Sequence, residues 1–519
     1  MDSKKSFVQT IKEGYTFKGD AIVLGGAMID KTCLTDTFVS IPLRTMNRHG
    51  LIAGATGSGK TKTLQILAEQ LSEKGVPSLL MDIKGDLSGI AMPAESNPKI
   101  EDRHAKIGLP FTPGGSPVAF YSLSGEKGAR LRATVTEFGP VLFSKILGLN
   151  DTQSGIVAII FKYCDDHDLP LLNLADFKKT LQYLSGEGKA EIQDEYGLIT
   201  SASVGTIMRK VVELEQQGAD LFFGEVSFDV DDLCMVDEEG RGVVSIIRLT
   251  DIQDRPKLFS TFMLQILAEI YASFPEEGDL EMPKLVLFID EAHLVFEEAS
   301  EALLDQIESI IKLIRSKGVG IYFVTQNPSD VPSEVLGQLG LKIQHSLRAF
   351  TAKDRKDIKL TAENYPLTDF YEVDTLLTEL GIGEAIVTAL NEKGIPTPLV
   401  HTLLRAPQSR MDVLTEDELE ELVRRSGIVR KYNEEIDSKS AYEILTRKIE
   451  AARDEEWEAE RQKQREAASN VSSRRREKST IEKIMTSTTT RQIGRTVARE
   501  LTRGLLGVLG ISTTRRRRR

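Results

Sequence analysis

The stretch LIAGATGSGKTKTLQILAEQL, residues 51–71, decides the fold. It reads as a buried strand, a glycine-rich turn, and a helix with apolar positions at Leu64, Leu67 and Leu71. The turn, GATGSGKT at 54–61, matches GxxxxGK[ST] in full and sits between strand and helix, where its mechanism needs it. Gly54, Gly57 and Gly59 let the backbone wrap closely around phosphates with its N–H groups pointing inward, and the following helix adds the positive end of its dipole. The nucleotide-binding set expected from this stretch is Gly54, Ala55, Thr56, Gly57, Ser58, Gly59, Lys60, Thr61 and Thr63. Lys60 is expected to reach the β- and γ-phosphates of ATP, and Thr61 to ligate Mg²⁺.

A second strand, in PSLLMDIKGD, follows about twenty residues later. The partner motif lies more than two hundred residues downstream, in LVLFIDEAH at 285–293. Its apolar run ends in Asp290, a carboxylate delivered next to the glycine-rich turn, where it can hold Mg²⁺. Glu291 stands where an acid can polarise the attacking water as general base. Arg315, 24 residues after Glu291, ends a helix just before the next strand. It is a candidate arginine finger reaching across a subunit interface; the competing reading is a cation that favours the helix dipole. Gln326, in TQNPSD, ends that next strand and can sense the γ-phosphate or orient water, if it does not simply cap the strand. Asp82 faces the phosphates or forms a turn before Lys84 and Gly85, and Arg348, in HSLRAFT, approaches a nucleotide or makes an edge salt bridge.

Working outward, alternating strands and helices at GVVSIIRLT (242–250), LVLFIDEAH, VGIYFVTQ and KIQHSLRAF imply an α/β core, a mostly parallel sheet with helices on both faces. The expected organisation is a short N-terminal β segment at 1–45, a first part of the core at 46–121, and a helical insertion at 122–240. The second part of the core follows at 241–410, then a long charged helical extension at 411–468 and a basic flexible tail at 469–519. Between 93 and 121 the chain is rich in Pro and Gly and reads as loops, with room for a small hairpin.

Apolar residues make up 40% and charged residues 28% of the 519, a globular balance. No run approaches the ~18–20 apolar residues of a spanning helix, and no signal peptide opens the chain, so a cytoplasmic location is expected. Three scattered cysteines, Cys33, Cys164 and Cys234, read as thiols of a reducing compartment. Residues 470–519 carry 14 Lys/Arg against 3 Asp/Glu, leaving about −23 on the preceding body of a chain whose net charge is −12. So acidic a body does not look like a general DNA-binding surface, whereas the tail can touch phosphate or anionic lipid.

Together GATGSGKT, LLMDIKGD, FIDEAH, RSKGVG and TQNPSDVP resemble the HerA/FtsK superfamily of P-loop motors, and most of all a HerA-like bacterial family known mainly as a domain of unknown function. LNDTQSG (149–155), DRPKLFSTFMLQILAEIY and LTELGIGEAIVTALNEKGIPTP extend the likeness, which runs from about 15 to 410. HerA itself opens with a longer β-barrel domain, whereas the segment ahead of the ATPase core is about 45 residues here. The resemblance implies a RecA-like core, a homo-oligomeric and often hexameric ring, and ATP sites at subunit interfaces. Lys60 and Thr61 match the Walker A residues, Asp290 and Glu291 match Walker B, and Arg315 stands where relatives place their finger. The function expected is an ATPase motor of the translocase or helicase type acting on double-stranded DNA, with a nuclease or another protein as a possible partner. The alternative is an ATPase that remodels a protein or membrane-associated complex, recruited to an anionic membrane surface through RTVARELTRGLLGVLGI and the terminal arginines. A GTPase switch is disfavoured by the lack of an N-K-x-D motif, and a small-molecule kinase by an Asp-Glu pair suited to activating water.

Overall fold

The computed structural model describes residues 2–451 and Trp457, apart from Ser124, Leu198, 252–254, Asp279, 297–300, Glu435 and Asp437. The basic tail expected at 469–519, and the charged stretch from 458 to 468, lie outside the described residues. The chain divides into two compact units, Met1–Arg132 with Val226–Glu434, and Ala133–Glu225 with the chain from Glu435 onward.

The first unit is built on a twelve-stranded sheet. Its strands are β1 (Ala21–Ile29), β2 (Thr32–Pro42), β3 (Gly50–Ala53), β4 (Ser78–Asp82), β5 (Val118–Ser122) and β6 (Ala129–Arg130). They continue as β7 (Val244–Arg248), β8 (Leu285–Ile289), β9 (Val319–Thr325), β10 (Leu341–Gln344), β11 (Glu384–Thr388) and β12 (Val400–Leu404). Their order across the sheet is β2-β1-β12-β11-β10-β3-β9-β8-β4-β7-β5-β6. From β10 to β6 every pairing is parallel. β3, β4, β8 and β9 are buried along their whole length, which is why they read as continuous apolar runs. The helix Lys60–Glu73 packs on this layer through Leu64, Leu67 and Leu71, each 1% exposed or less. Burying each such side chain contributes roughly 1.5–3 kcal/mol.

Several elements differ from expectation. The parallel sheet carries an antiparallel flank, β11, β12, β1 and β2. β1 and β2 form a hairpin whose turn residues Asp30 and Lys31 both take positive φ (48° and 60°), type I′ geometry. Residues Asp2–Gly14, assigned to a β segment, form a helix seated on the core through Phe7 and Ile11. The stretch read as loops at 93–121 contains the helix Pro98–Ile107. There Asn97 accepts from Lys99 N and Ile100 N, Pro98 occupies the first turn, and Gly108 closes the helix at φ 88°. Proline at that position starts a helix rather than breaking one. In KIQHSLRAF the strand ends at Gln344, so Arg348 follows it instead of lying on it. The long charged helix expected after 411 is broken into Glu416–Arg425 and Gly427–Tyr432 by Ser426, which is extended (φ −68°, ψ 123°) and caps the second piece.

The second unit holds the helices Val135–Ile146, Asp151–Asp166, Leu174–Ser185, Lys189–Glu195 and Ser201–Gln216, with a further helical stretch at 441–451. Phe143, Phe161 and Phe177 meet in its core at 4.8–6.3 Å between ring centres. LNDTQSG proves to be a helix start: Gln153 N donates to Asn150 Oδ1 at 3.0 Å, and Asn150 N to Gln153 Oε1 at 3.1 Å. Among the described residues no helix is long and apolar enough to cross a membrane.

Candidate active site

β3 ends at Ala53 and the chain turns through three glycines with positive φ, Gly54 (150°), Gly57 (78°) and Gly59 (116°), before the helix begins at Lys60. The loop is hung on its neighbours by backbone bonds. Gly54 N donates to Thr325 O (3.2 Å), Ala55 N to Ser346 O (2.8 Å), and Gly383 N to Ser58 O (3.0 Å). Lys60 is 6% exposed and its Nζ donates to Gly54 O (2.7 Å) and Ala55 O (3.3 Å), so the ammonium lies inside the curl of the loop. Burial, and then the nearby Lys84 ammonium, hold its pKa below the usual lysine range. Ser58 Oγ is buried with no hydrogen-bond partner, and nothing lies within 4 Å of where a Cβ on Gly57 would be. A cradle of this kind, with an orphaned hydroxyl and an inward ammonium, fits an anion.

Thr63 differs from the rest of its predicted set. Its hydroxyl lies 2.9 Å from His345 Nε2 and donates to Gly59 O at 3.3 Å, so it braces the loop from behind. His345 is fully buried, and burial followed by the Lys60 charge pushes its pKa down to about 4. A Cβ at Gly54 would lie 2.5 Å from that of His345, on a backbone at φ 150°. Gly54→Ala is therefore expected to abolish measurable nucleotide binding in a calorimetric titration with an intact fold by circular dichroism; normal affinity would show that the loop tolerates the displacement.

β9 lies between β3 and β8, so the chain leaving β8 faces the P-loop across one strand. Asp290 and Glu291 occupy that exit, 3% and 6% exposed. Burial raises the Asp290 pKa to about 6, with Lys84 opposing. Asp290 Oδ2 is buried without a hydrogen bond, as a carboxylate reserved for a cation would be. Glu291 takes φ 48°, a left-handed conformation that costs a non-glycine residue on the order of 1–2 kcal/mol and calls for a functional explanation. Its Oε1 pairs directly with Lys84 Nζ, and its Oε2 lies 3.2 Å from His293 Nδ1.

Gln326 leaves β9 between the two motifs, its Oε1 3.4 Å from Thr56 Oγ1. Arg348 Nη2 donates to Thr56 O at 3.4 Å, from the opposite side of the loop. Asp82 is a turn former: it accepts from Gly85 N, Asp86 N and Leu87 N, and burial followed by Asp86 raises its pKa to about 7. Arg315 is not brought to this group. It is exposed in the turn Arg315–Lys317 that precedes β9, at the amino end of the sheet. Seven residues of β9, at about 3.3 Å each, put it roughly 20 Å from the P-loop end. Lys84 and His345 escaped the reading of the sequence. LLMDIKGD held the only signal for Lys84, a lysine just past a buried strand, and His345 carried none.

The family described as helicase HerA-like C-terminal matches residues 29–517, well past the limit near 410 drawn from motifs. The DNA double-strand break repair helicase HerA of Sulfolobus acidocaldarius is 23% identical over 394 residues, covering 72% of this chain and 68% of the relative. The protein of that description from Sulfurisphaera tokodaii is 24% identical over 370 residues, 70% of this chain and 66% of the relative. The chain thus spans about two thirds of the length of these relatives. Among solved structures, the bacterial conjugative coupling protein TrwBdeltaN70 aligns with a TM-score of 0.50 at 14% identity, over 78% of this chain and 95% of that one, a likeness of fold.

Proposed function

The chain belongs to the helicase HerA-like C-terminal family, and from that premise we propose that it is a ring-forming motor that couples ATP hydrolysis to movement along duplex DNA. Its enzymatic core is a P-loop ATPase that uses ATP and Mg²⁺. The observation that carries the reading is the division of the motifs between the two ends of the parallel part of the sheet. The P-loop, Asp290, Glu291 and Gln326 lie at the carboxyl end, and Arg315 at the amino end of β9. A residue so far from its own chain's phosphates serves catalysis only from a neighbouring copy, which supports a ring, six subunits being the number carried over from the superfamily.

In this reading the P-loop amides and Lys60 bind and orient the β- and γ-phosphates. Thr61 and Asp290 would hold Mg²⁺, which when bound neutralises charge on the phosphate oxygens. Glu291 takes the proton of the attacking water, which Gln326 orients from the tip of β9. Arg315 of the adjoining subunit would stabilise the charge that develops on the transferred group. The burial of Asp290 and Glu291 strengthens each of these electrostatic contacts.

DNA enters from the relatives described as double-strand break repair helicases. Purified full chain is expected to hydrolyse ATP faster with duplex DNA, and the stimulation should fade between low and moderate salt as counterion release weakens binding. Turnover that ignores DNA at every salt concentration would retain the ATPase and remove the DNA motor.

A further inference from the structure

Lys84 has no part in the mechanism above, yet it stands inside the site. β4 adjoins β8 on the side away from β9, in parallel register with Met81 opposite Ile289, so the chain leaving β4 lies beside Asp290. The turn that follows is fixed. Asp82 accepts from Gly85 N at 2.8 Å, Asp86 N at 3.0 Å and Leu87 N at 3.2 Å. Gly85 takes φ 75°, and a Cβ there would meet Thr250 Cγ2 at 2.8 Å. From this turn the Lys84 ammonium pairs with Glu291 Oε1 and lies 3.9 Å from Asp290 Oδ2. Its side chain is 37% exposed against 4% and 8% for the two acids, so it links buried carboxylates to the open side of the site. Lys84 is also the charge that, after burial, acts most on the Lys60 ammonium inside the loop.

We propose that Lys84 is a positioning residue shared between Glu291 and the terminal phosphate of a nucleoside triphosphate, and that it makes the site prefer triphosphate over diphosphate. The inference rests on the reading of the P-loop and Glu291 given above. Lysine brings three donors on one flexible stem and binds phosphate as a point charge, so one ammonium can hold a carboxylate oxygen and a phosphate oxygen together. A diphosphate ends before that second contact. With the triphosphate bound, the shared ammonium orders Glu291 relative to the group that water attacks, and the proton goes to Glu291 as before.

The test is calorimetric titration of the full chain, with Mg²⁺, by ATPγS and by ADP. Lys84→Met is expected to weaken ATPγS by about 10–100-fold, the loss of one charge-assisted contact, and to leave ADP affinity within about twofold. Lys84→Arg, which keeps the charge, should restore most of the preference for ATPγS. Equal weakening of both nucleotides by Lys84→Met, at unchanged melting temperature, would overturn the proposal, as would an unaltered ratio. Lys60→Ala in the same titration isolates the parent reading, since it should lose both nucleotides. If it binds them normally the P-loop assignment fails, and if it loses them while Lys84→Met keeps the ratio, only the role of Lys84 fails.

Discussion

Arg315→Ala is expected to lower ATP turnover by about 10³–10⁵-fold, the range for a residue that stabilises charge on a transferring phosphoryl group. Nucleotide binding should survive, because Arg315 lies at the amino end of β9, away from the P-loop of its own chain. The decisive form of the measurement mixes two inactive proteins. Arg315→Ala subunits keep an intact P-loop, and Lys60→Ala subunits keep an intact Arg315. In a mixed ring an arginine from the second kind faces a P-loop of the first, so turnover should reappear on mixing. Two variants that stay inactive together, in rings of normal size, would place any action of Arg315 within its own chain. Full activity of Arg315→Ala alone would leave the residue as a helix-end cation, exposed and favourable to the dipole.

Glu291→Gln should reduce the rate at saturating ATP by about 10²–10⁴-fold, the usual contribution of a general base, with ATP affinity retained. The substitution keeps size and removes the charge, so a loss confined to turnover points to proton transfer. Glu291 is 6% exposed and fixed at φ 48°, paired on one oxygen by Lys84 and approached on the other by His293. That environment holds the carboxylate in place without a reorganisation step. Normal hydrolysis by the glutamine variant would transfer the role to another group, and a single-turnover assay would separate that outcome from slow product release.

The strand–turn–helix at 51–71 and the buried strand leading into Asp290 were legible because each is a local pattern. A both-face-buried strand is a run of apolar residues, and a phosphate loop needs glycines where φ is positive, as Gly57 and Gly59 have it. The parallel α/β core follows from the alternation of such units. The helix Pro98–Ile107 was hidden by its proline and its closing Gly108, residues that mark helix ends as readily as loops. The helix Asp2–Gly14 was read as part of a β segment although its Phe7 and Ile11 reach the core, since two apolar anchors in a polar stretch make a faint helical periodicity.

Sequence alone therefore pointed to the chemistry proposed for Lys60, Thr61, Asp290 and Glu291, because such roles attach to short motifs whose backbone geometry is set within a few residues. Tertiary structure decided which other groups share the site. The order β10-β3-β9-β8-β4 brings together residues far apart in the chain: His345 behind Gly54, Arg348 over Thr56, and Lys84 against Glu291. It also places Arg315 at the far end of β9 from all of them. Strand order in a parallel sheet is a product of long-range crossovers and shared burial, and no run of neighbouring residues records it.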